Sequence, residues 1–259
     1  MRKLFIATTL FTALGGGCAV AADMAVKAAP MAVRSTCAQF GGFYIGVQGG
    51  SVLHDSTWSD RNSWAKNEAD LALPSSVTSN EFSWHVGPQA GWNWQSGCTV
   101  FGVMADWSWS GNKNTTINTD GQPGAALDTL AVTSEVEWFG TARTRAGVVV
   151  DNLLLYVSGG AAFAKINYTA SLTNFIGGAF QTERFSSDKT RFGWAAGVGT
   201  EWAFAPNWTF MSEIVFIGFP DKSETFSSGF AVLNGNPPNK TFDYKDTLWV
   251  GRFGLNYRW

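Results

Sequence analysis

The 259-residue chain is short of charge. Asp, Glu, Lys and Arg make up 15% of it, where a soluble domain carries roughly 25%. Two histidines and three cysteines leave little for a metal site, and a formal net charge of -2 offers no basic surface to nucleic acid. Also missing is an apolar run long enough for a membrane helix, which needs about 20 residues. Beyond the N-terminal stretch the longest, Leu153 to Ala164, is interrupted by Ser158-Gly159-Gly160. In excess are 29 glycines and 15% aromatic residues, thirteen of them Trp. That composition excludes disorder, coiled coil and collagen.

The first segment reads as an address. Arg2 and Lys3 precede an apolar run from Leu4 to Leu14, and Val20-Ala21-Ala22 supplies the small residues of a cleavage site, so cleavage is expected after Ala22. The run is too short for an anchor helix. Lipid attachment at Cys18 fits less well, because Gly15-Gly16-Gly17 lacks the leucine that usually stands three before a lipidated cysteine. The domain reading is a signal peptide over 1–22, a flexible periplasmic N-terminal tail over 23–39, and a barrel over 40–259.

Period-two alternation recurs in eight segments of about ten residues, each bounded by Gly, Asn, Asp, Ser or Pro. They are Gly42 to Val52, Glu81 to Trp94, Thr99 to Trp109, Ala131 to Arg145, Leu153 to Ala164, Arg191 to Phe204, Trp208 to Phe216 and Leu248 to Trp259. One face of each is large and apolar. The other holds Gly, Ser, Thr, Gln and ten charges: Asp106, Glu135, Glu137, Arg143, Arg145, Arg191, Glu201, Glu213, Arg252 and Arg258. Pro88 interrupts the second segment, and a bulge or a lost ladder bond is expected there.

A soluble sandwich would alternate as well. Three features favour a membrane barrel. The polar face carries five acidic and five basic residues and no lysine, which suits a narrow paired interior better than a solvated exterior. Aromatic residues gather at two levels: Trp84, Trp107, Trp109, Trp138, Trp194 and Trp249 at one, and Trp92, Trp94, Trp202, Phe204, Trp208, Tyr257 and Trp259 at the other. Connections alternate between short (95–98, 149–152, 205–207) and long (53–80, 110–130, 165–190, 217–247). The expected fold is therefore all-β, an eight-stranded antiparallel up-and-down transmembrane β-barrel with four long external loops, placed in the cell outer membrane.

Asp23 to Pro30 followed by Gly42-Phe43-Tyr44-Ile45-Gly46-Val47, the stretch Leu155-Tyr156-Val157-Ser158-Gly159-Gly160-Ala161-Ala162-Phe163-Ala164, and Gly251-Arg252-Phe253-Gly254-Leu255-Asn256-Tyr257-Arg258-Trp259 resemble the alphaproteobacterial outer-membrane immunogenic, opacity-type porin-like barrels. This chain departs from them in having Gln39-Phe40-Gly41 where a tryptophan is usual, and in ending in Trp rather than Phe. The resemblance implies an eight-stranded, surface-exposed barrel without an assigned reaction, and a sorting signal for the barrel-assembly machinery at Phe253, Leu255, Tyr257 and Trp259.

Cys37 and Cys98 fall at the same rim, and an oxidising compartment favours a disulfide between them. The leading functional expectation is a structural, surface-exposed barrel without catalysis, surrounded by outer-membrane lipid and meeting an extracellular partner at long loops that carry Trp58, Trp64 and Phe226. A narrow, low-conductance channel through the charged lumen is the alternative, and a soluble periplasmic ligand-binding barrel a more remote one. The candidates for enzyme chemistry are His54 with Asp55, and His85, with no nucleophile motif beside them. No cofactor, metal or nucleic acid is expected.

Overall fold

A computed structural model describes residues 37–60, 76–119, 129–176, 179–227 and 239–259. The expected cleavage site after Ala22, nearly all of the 23–39 tail and Trp64 lie outside the described residues. Nine strands follow in chain order: β1 (Gly42–Asp60), β2 (Ser76–Ser96), β3 (Thr99–Thr119), β4 (Thr129–Val150), β5 (Leu153–Ile176), β6 (Ala179–Ala205), β7 (Trp208–Gly218), β8 (Lys222–Ser227) and β9 (Asn239–Arg258). All pair antiparallel with their neighbours, and β1 pairs with β9, so the sheet closes on itself. Because β7 and β8 both pair with β9, one above the other, they form a single stave and the barrel has eight.

Closure removes every free edge where the barrel meets hydrocarbon, the condition a membrane sets on a sheet. Alternation then divides the side chains. Val47, Phe82, Phe192 and Val198 face outward and are more than half exposed, whereas Arg252, Glu213, Arg143 and Asp106 face inward and are buried. Trp107 and Trp138 stack with centroids 4.2 Å apart in the outer aromatic level, and Trp208, Tyr257 and Trp259 make edge contacts at 5.1 and 4.9 Å in the inner one. Two of the short turns place residues at positive φ, Gly97 at 60° and Asp151 at 53°.

The structure corrects the sequence reading in two places. Where they are described, the stretches expected as long loops are mostly strand: β1 continues to Asp60, β2 begins at Ser76, and β5 and β6 pair as far as Ile176↔Ala179. Polar residues such as Asp55, Lys113, Lys165 and Lys245 occupy their outward positions, so no apolar face marked them as strand. Glu135 and Glu137 belong to no lumen network. The β4–β5 register shifts between Val136 and Trp138, which turns Val136 inward and leaves Glu137 outward. There Glu137 pairs with Lys165 at 2.6 Å, and Glu135 stands opposite Lys113. At Pro88, where a bulge or a lost ladder bond is expected, the structure shows the interrupted ladder and no bulge. The β2–β3 ladder skips Gly87 and Pro88 and resumes in the same offset, Val86↔Trp109 and Gln89↔Asp106. Glycine is required at 87, since a Cβ there would lie 1.8 Å from the Trp107 carbonyl oxygen.

Candidate functional site

The interior is built in layers. At the inner end the chain before β1 turns across the opening, and Cys37 forms a disulfide with Cys98, their Cα atoms 5.5 Å apart. Ala38 N–H donates to Asp151 O at 2.9 Å, and the Gln95 side-chain amide donates to Ala38 O at 3.0 Å. Phe40, fully buried, packs among Val100, Val149, Leu154 and Tyr156. The barrel thus has a floor.

Above the floor, Arg145 donates to Glu201 at 2.8 Å and to Asn93 Oδ1 at 2.8 Å. Its guanidinium lies 4.7 Å from the Tyr44 ring centre and 5.2 Å from that of Tyr156. Thr209 and Asn256 also donate to Glu201. Arg258 is not in a carboxylate pair; it sits over the Phe40 ring at 5.2 Å and donates to Pro206 O at 3.2 Å.

Four charges from four strands meet in the next layer. Arg143 donates to Glu213 at 2.7 Å and to Asp106 at 3.3 Å. Arg252 donates to Asp106 at 2.6 Å and twice to Glu213, once through Nε at 2.8 Å. Ser158 donates to Glu213 at 2.9 Å, and Thr141 to Asp106 at 2.8 Å. Two positive and two negative groups cancel, and nearly every oxygen has a donor, which is what a charge removed from water requires.

Above these ionic layers the lumen turns apolar. Val52, Val136, Phe139, Ala162, Ile166, Ile217, Phe219, Leu248 and Val250 point inward and form one packed cluster. His85 lies under it, 5.4 Å from the Phe139 ring. Alternation that puts the bulk of the apolar side chains on the outer face gives no sign of this inward apolar layer.

The outermost layer centres on Asp246, fully buried above the outer aromatic level. Tyr168 and Arg191 donate to its Oδ2, and His54 Nε2 lies 3.2 Å from its Oδ1. Arg191 also donates to Tyr168 Oη at 3.1 Å and to Pro220 O at 2.6 Å. His54 is therefore partnered by Asp246, 192 residues away, rather than by neighbouring Asp55, which faces outward. Of the ten charges expected as one network, seven fall into three separate groups, Arg258 stands apart from carboxylates, and Glu135 and Glu137 face outward. Phe253 and Leu255 line the outer face of β9, and just past its end the Trp259 ring lies 5.5 Å from that of Phe43 where β9 meets β1. Among the described residues no group of three or more His, Cys, Asp or Glu is placed to hold a metal.

A closed antiparallel barrel with an apolar outer belt, two aromatic levels and a paired ionic interior is a transmembrane barrel of the outer-membrane class. The sequence comparisons agree, and the chain belongs to the family of the outer membrane protein β-barrel domain, which residues 18–232 match. It is 30% identical to the 31 kDa outer-membrane immunogenic protein of Brucella melitensis over the full length of both chains. It is 25% identical to the 22 kDa outer membrane protein of Rhizobium leguminosarum over 54% of each. Among solved structures it is similar to OprG from Pseudomonas aeruginosa (TM-score 0.44, 11% identity, 87% of this chain and 99% of that one). It is also similar to the outer membrane protease OmpT from Escherichia coli (TM-score 0.46, 7% identity, 84% and 97%). At these values the structural likenesses say nothing of activity. The protein is an outer-membrane β-barrel whose relatives include an outer-membrane immunogenic protein.

Proposed function

We propose that this barrel is a sealed scaffold that presents its protruding strands at the cell surface, without catalysis and without free conduction. The observation that carries this reading is the ionic quartet: the side chains of Asp106, Arg143, Glu213 and Arg252 are at most 1% exposed. An ion crossing the lumen would have to part this quartet, the Arg145–Glu201 pair and the apolar layer together, and each leaves buried charge or buried apolar surface unmatched when disturbed. For catalysis the histidines are poorly placed. His54 is tied to a carboxylate that two further donors already hold, and His85 lies beneath an apolar layer. Three partners belong to this reading: lipid around the outer belt, the assembly machinery acting on Phe253, Leu255, Tyr257 and Trp259, and an extracellular partner at the protruding strands.

The test is single-molecule recording in a planar bilayer with detergent-purified protein whose heat-modifiable gel mobility establishes that it is folded. Silence is the expected result. Discrete current steps that change on substituting Arg252 or Glu213 would replace this reading with a channel lined by the ionic layers.

A further inference from the structure

Above the outer aromatic level the barrel stops being a barrel. The β2–β3 ladder ends at His85↔Ser110, although β2 continues outward to Ser76 and β3 to Thr119. On the opposite side the β6–β7 ladder ends at Trp194↔Gly218, while β6 extends from there to Ala179 and β8 pairs only with β9. Among the described residues no ladder joins β2 to β3 or β6 to β8 beyond these points. The outer part is therefore two four-stranded sheets, β3–β4–β5–β6 and β8–β9–β1–β2, each with two edges.

Register shifts stand at the height of the split, in the β3–β4 ladder between Trp109 and Asn112, and in the β4–β5 ladder between Val136 and Trp138. Both fall just at the outer aromatic level, and a bulge bends and twists its strand away from its neighbour. Where β3 leaves β2, the Trp84 indole lies against Gly111, at which a Cβ would be 2.6 Å from Trp84 Nε1.

The two seams differ. At the base of the β6/β8 seam, Arg191 holds the Pro220 carbonyl and lies 5.7 Å from the Phe219 ring centre. That seam is plugged, and its β8 edge is only six residues long. The β3 edge is the other kind. Gly111–Thr119 reads Gly-Asn-Lys-Asn-Thr-Thr-Ile-Asn-Thr, with one charge and no proline. Natural sheets protect exposed edges with prolines, charges, bulges or short length; beyond the bulge at its base and Lys113, this edge carries none of these. It is also held straight from behind by β4, from Asn112↔Val136 to Thr119↔Thr129.

We propose that the β3 edge from Gly111 to Thr119 is a docking slot for an extended segment of a partner polypeptide, which adds to the sheet as one more strand. A row of backbone N–H and C=O groups spaced for a ladder is complementary to another extended backbone, and such pairing accepts many side chains. With a single lysine along the edge, the partner needs no strong charge of either sign. The inference rests on the surface-scaffold reading and names the partner class for it.

The experiment uses the full chain, folded in nanodiscs, and a peptide copying Thr129–Val136, the segment that pairs with the far side of β3. Residue-resolved amide exchange should show slowing at every second residue of Gly111–Thr119 on adding peptide, and none with a peptide carrying a central proline. Two variants keep the result interpretable. In a strand, successive N–H groups point to opposite sides, so of Asn114→Pro and Thr115→Pro one breaks the β4 ladder and the other blocks the free edge alone. The latter should stay heat-modifiable and bind peptide about tenfold more weakly, the size of one or two lost backbone hydrogen bonds. Peptide binding that neither proline weakens, or no binding, would overturn the slot. Protection that grows with protein concentration in the absence of peptide would overturn it in favour of pairing between copies. Labelling of Thr115→Cys on intact cells by a membrane-impermeant maleimide separates the failures. A labelled cysteine with no peptide binding removes the slot alone, and an unlabelled one removes the surface reading beneath it.

Discussion

The same staves behave in two ways along their length. Between the aromatic levels, β3 is flanked by β2 and β4 and the sheet closes; beyond them β3 keeps β4 and loses β2. Hydrocarbon cannot hydrogen-bond a free strand edge, so inside the membrane closure is obligatory. Water outside can satisfy that edge, and bulges that a membrane would penalise become tolerable. The solvent around each length of strand, rather than any change in strand propensity, decides where the barrel ends and the sheets begin.

This comparison can be broken most severely from within. Glu213→Ala leaves Arg143 and Arg252 each short of a buried partner and should cost about 3–5 kcal/mol. Urea unfolding followed by tryptophan fluorescence checks this, and a cost under about 1 kcal/mol would mean that the quartet is hydrated rather than sealed. The outer face gives a sharper contrast along one strand. Val103 and Thr115 both face outward on β3, the first within the apolar belt and the second beyond it. Val103→Arg should cost about 2–4 kcal/mol, as an arginine facing lipid does near mid-membrane, and Thr115→Arg close to nothing. Equal costs would place both residues in one environment.

Replacing Cys37 and Cys98 together by serine should lower stability by about 2 kcal/mol, the lower part of the usual range, because Phe40 and the hydrogen bonds of the floor hold the same segment. The unreduced wild type should take up no alkylating label at these cysteines in mass analysis. The smallest effect belongs to Glu137 and Lys165. The hydrogen bond from Lys165 holds the Glu137 carboxyl below its usual 4.5, and the reciprocal bond holds Lys165 above its usual 10.5. The Glu137 contribution is then complete above the unfolded carboxyl value and lost as pH falls through the lower folded one. That of Lys165 is lost as pH rises through its raised value. As both groups are exposed, Glu137→Gln should leave the unfolding midpoint unchanged, and titration by NMR should put Glu137 below 4.5; a value above it would show that the pair does not form in solution.

Much of the membrane part is legible in sequence because each strand there must show lipid an apolar face. Phe101, Val103 and Ala105 give β3 away, and they fix Asp106 as inward. The rule fails where its cause ends. Lys113, Thr115, Asn167 and Thr247 stand outward in water, so the strands that carry them look like loop. Alternation likewise carries from Arg145 to Phe139 and then breaks at the β4 bulge, so extending it to Glu137 and Glu135 puts both on the wrong face. Asp246 was hidden twice: its strand carries no apolar stripe at that height, and its partners His54, Tyr168 and Arg191 come from three other strands. A pairing across 192 residues has no local signal.

The most direct test of a barrel that is closed in the membrane and split above it is amide exchange along β3 in the unliganded, folded protein. The account predicts slow exchange at consecutive residues from Thr99 to Asp106, where both neighbours are paired, and a change to alternating slow and fast exchange from Asn112 to Thr119, where only β4 remains. Uniform protection along the whole strand would contradict it, because it would mean that β2 and β3 stay joined and the barrel continues closed to its outer end.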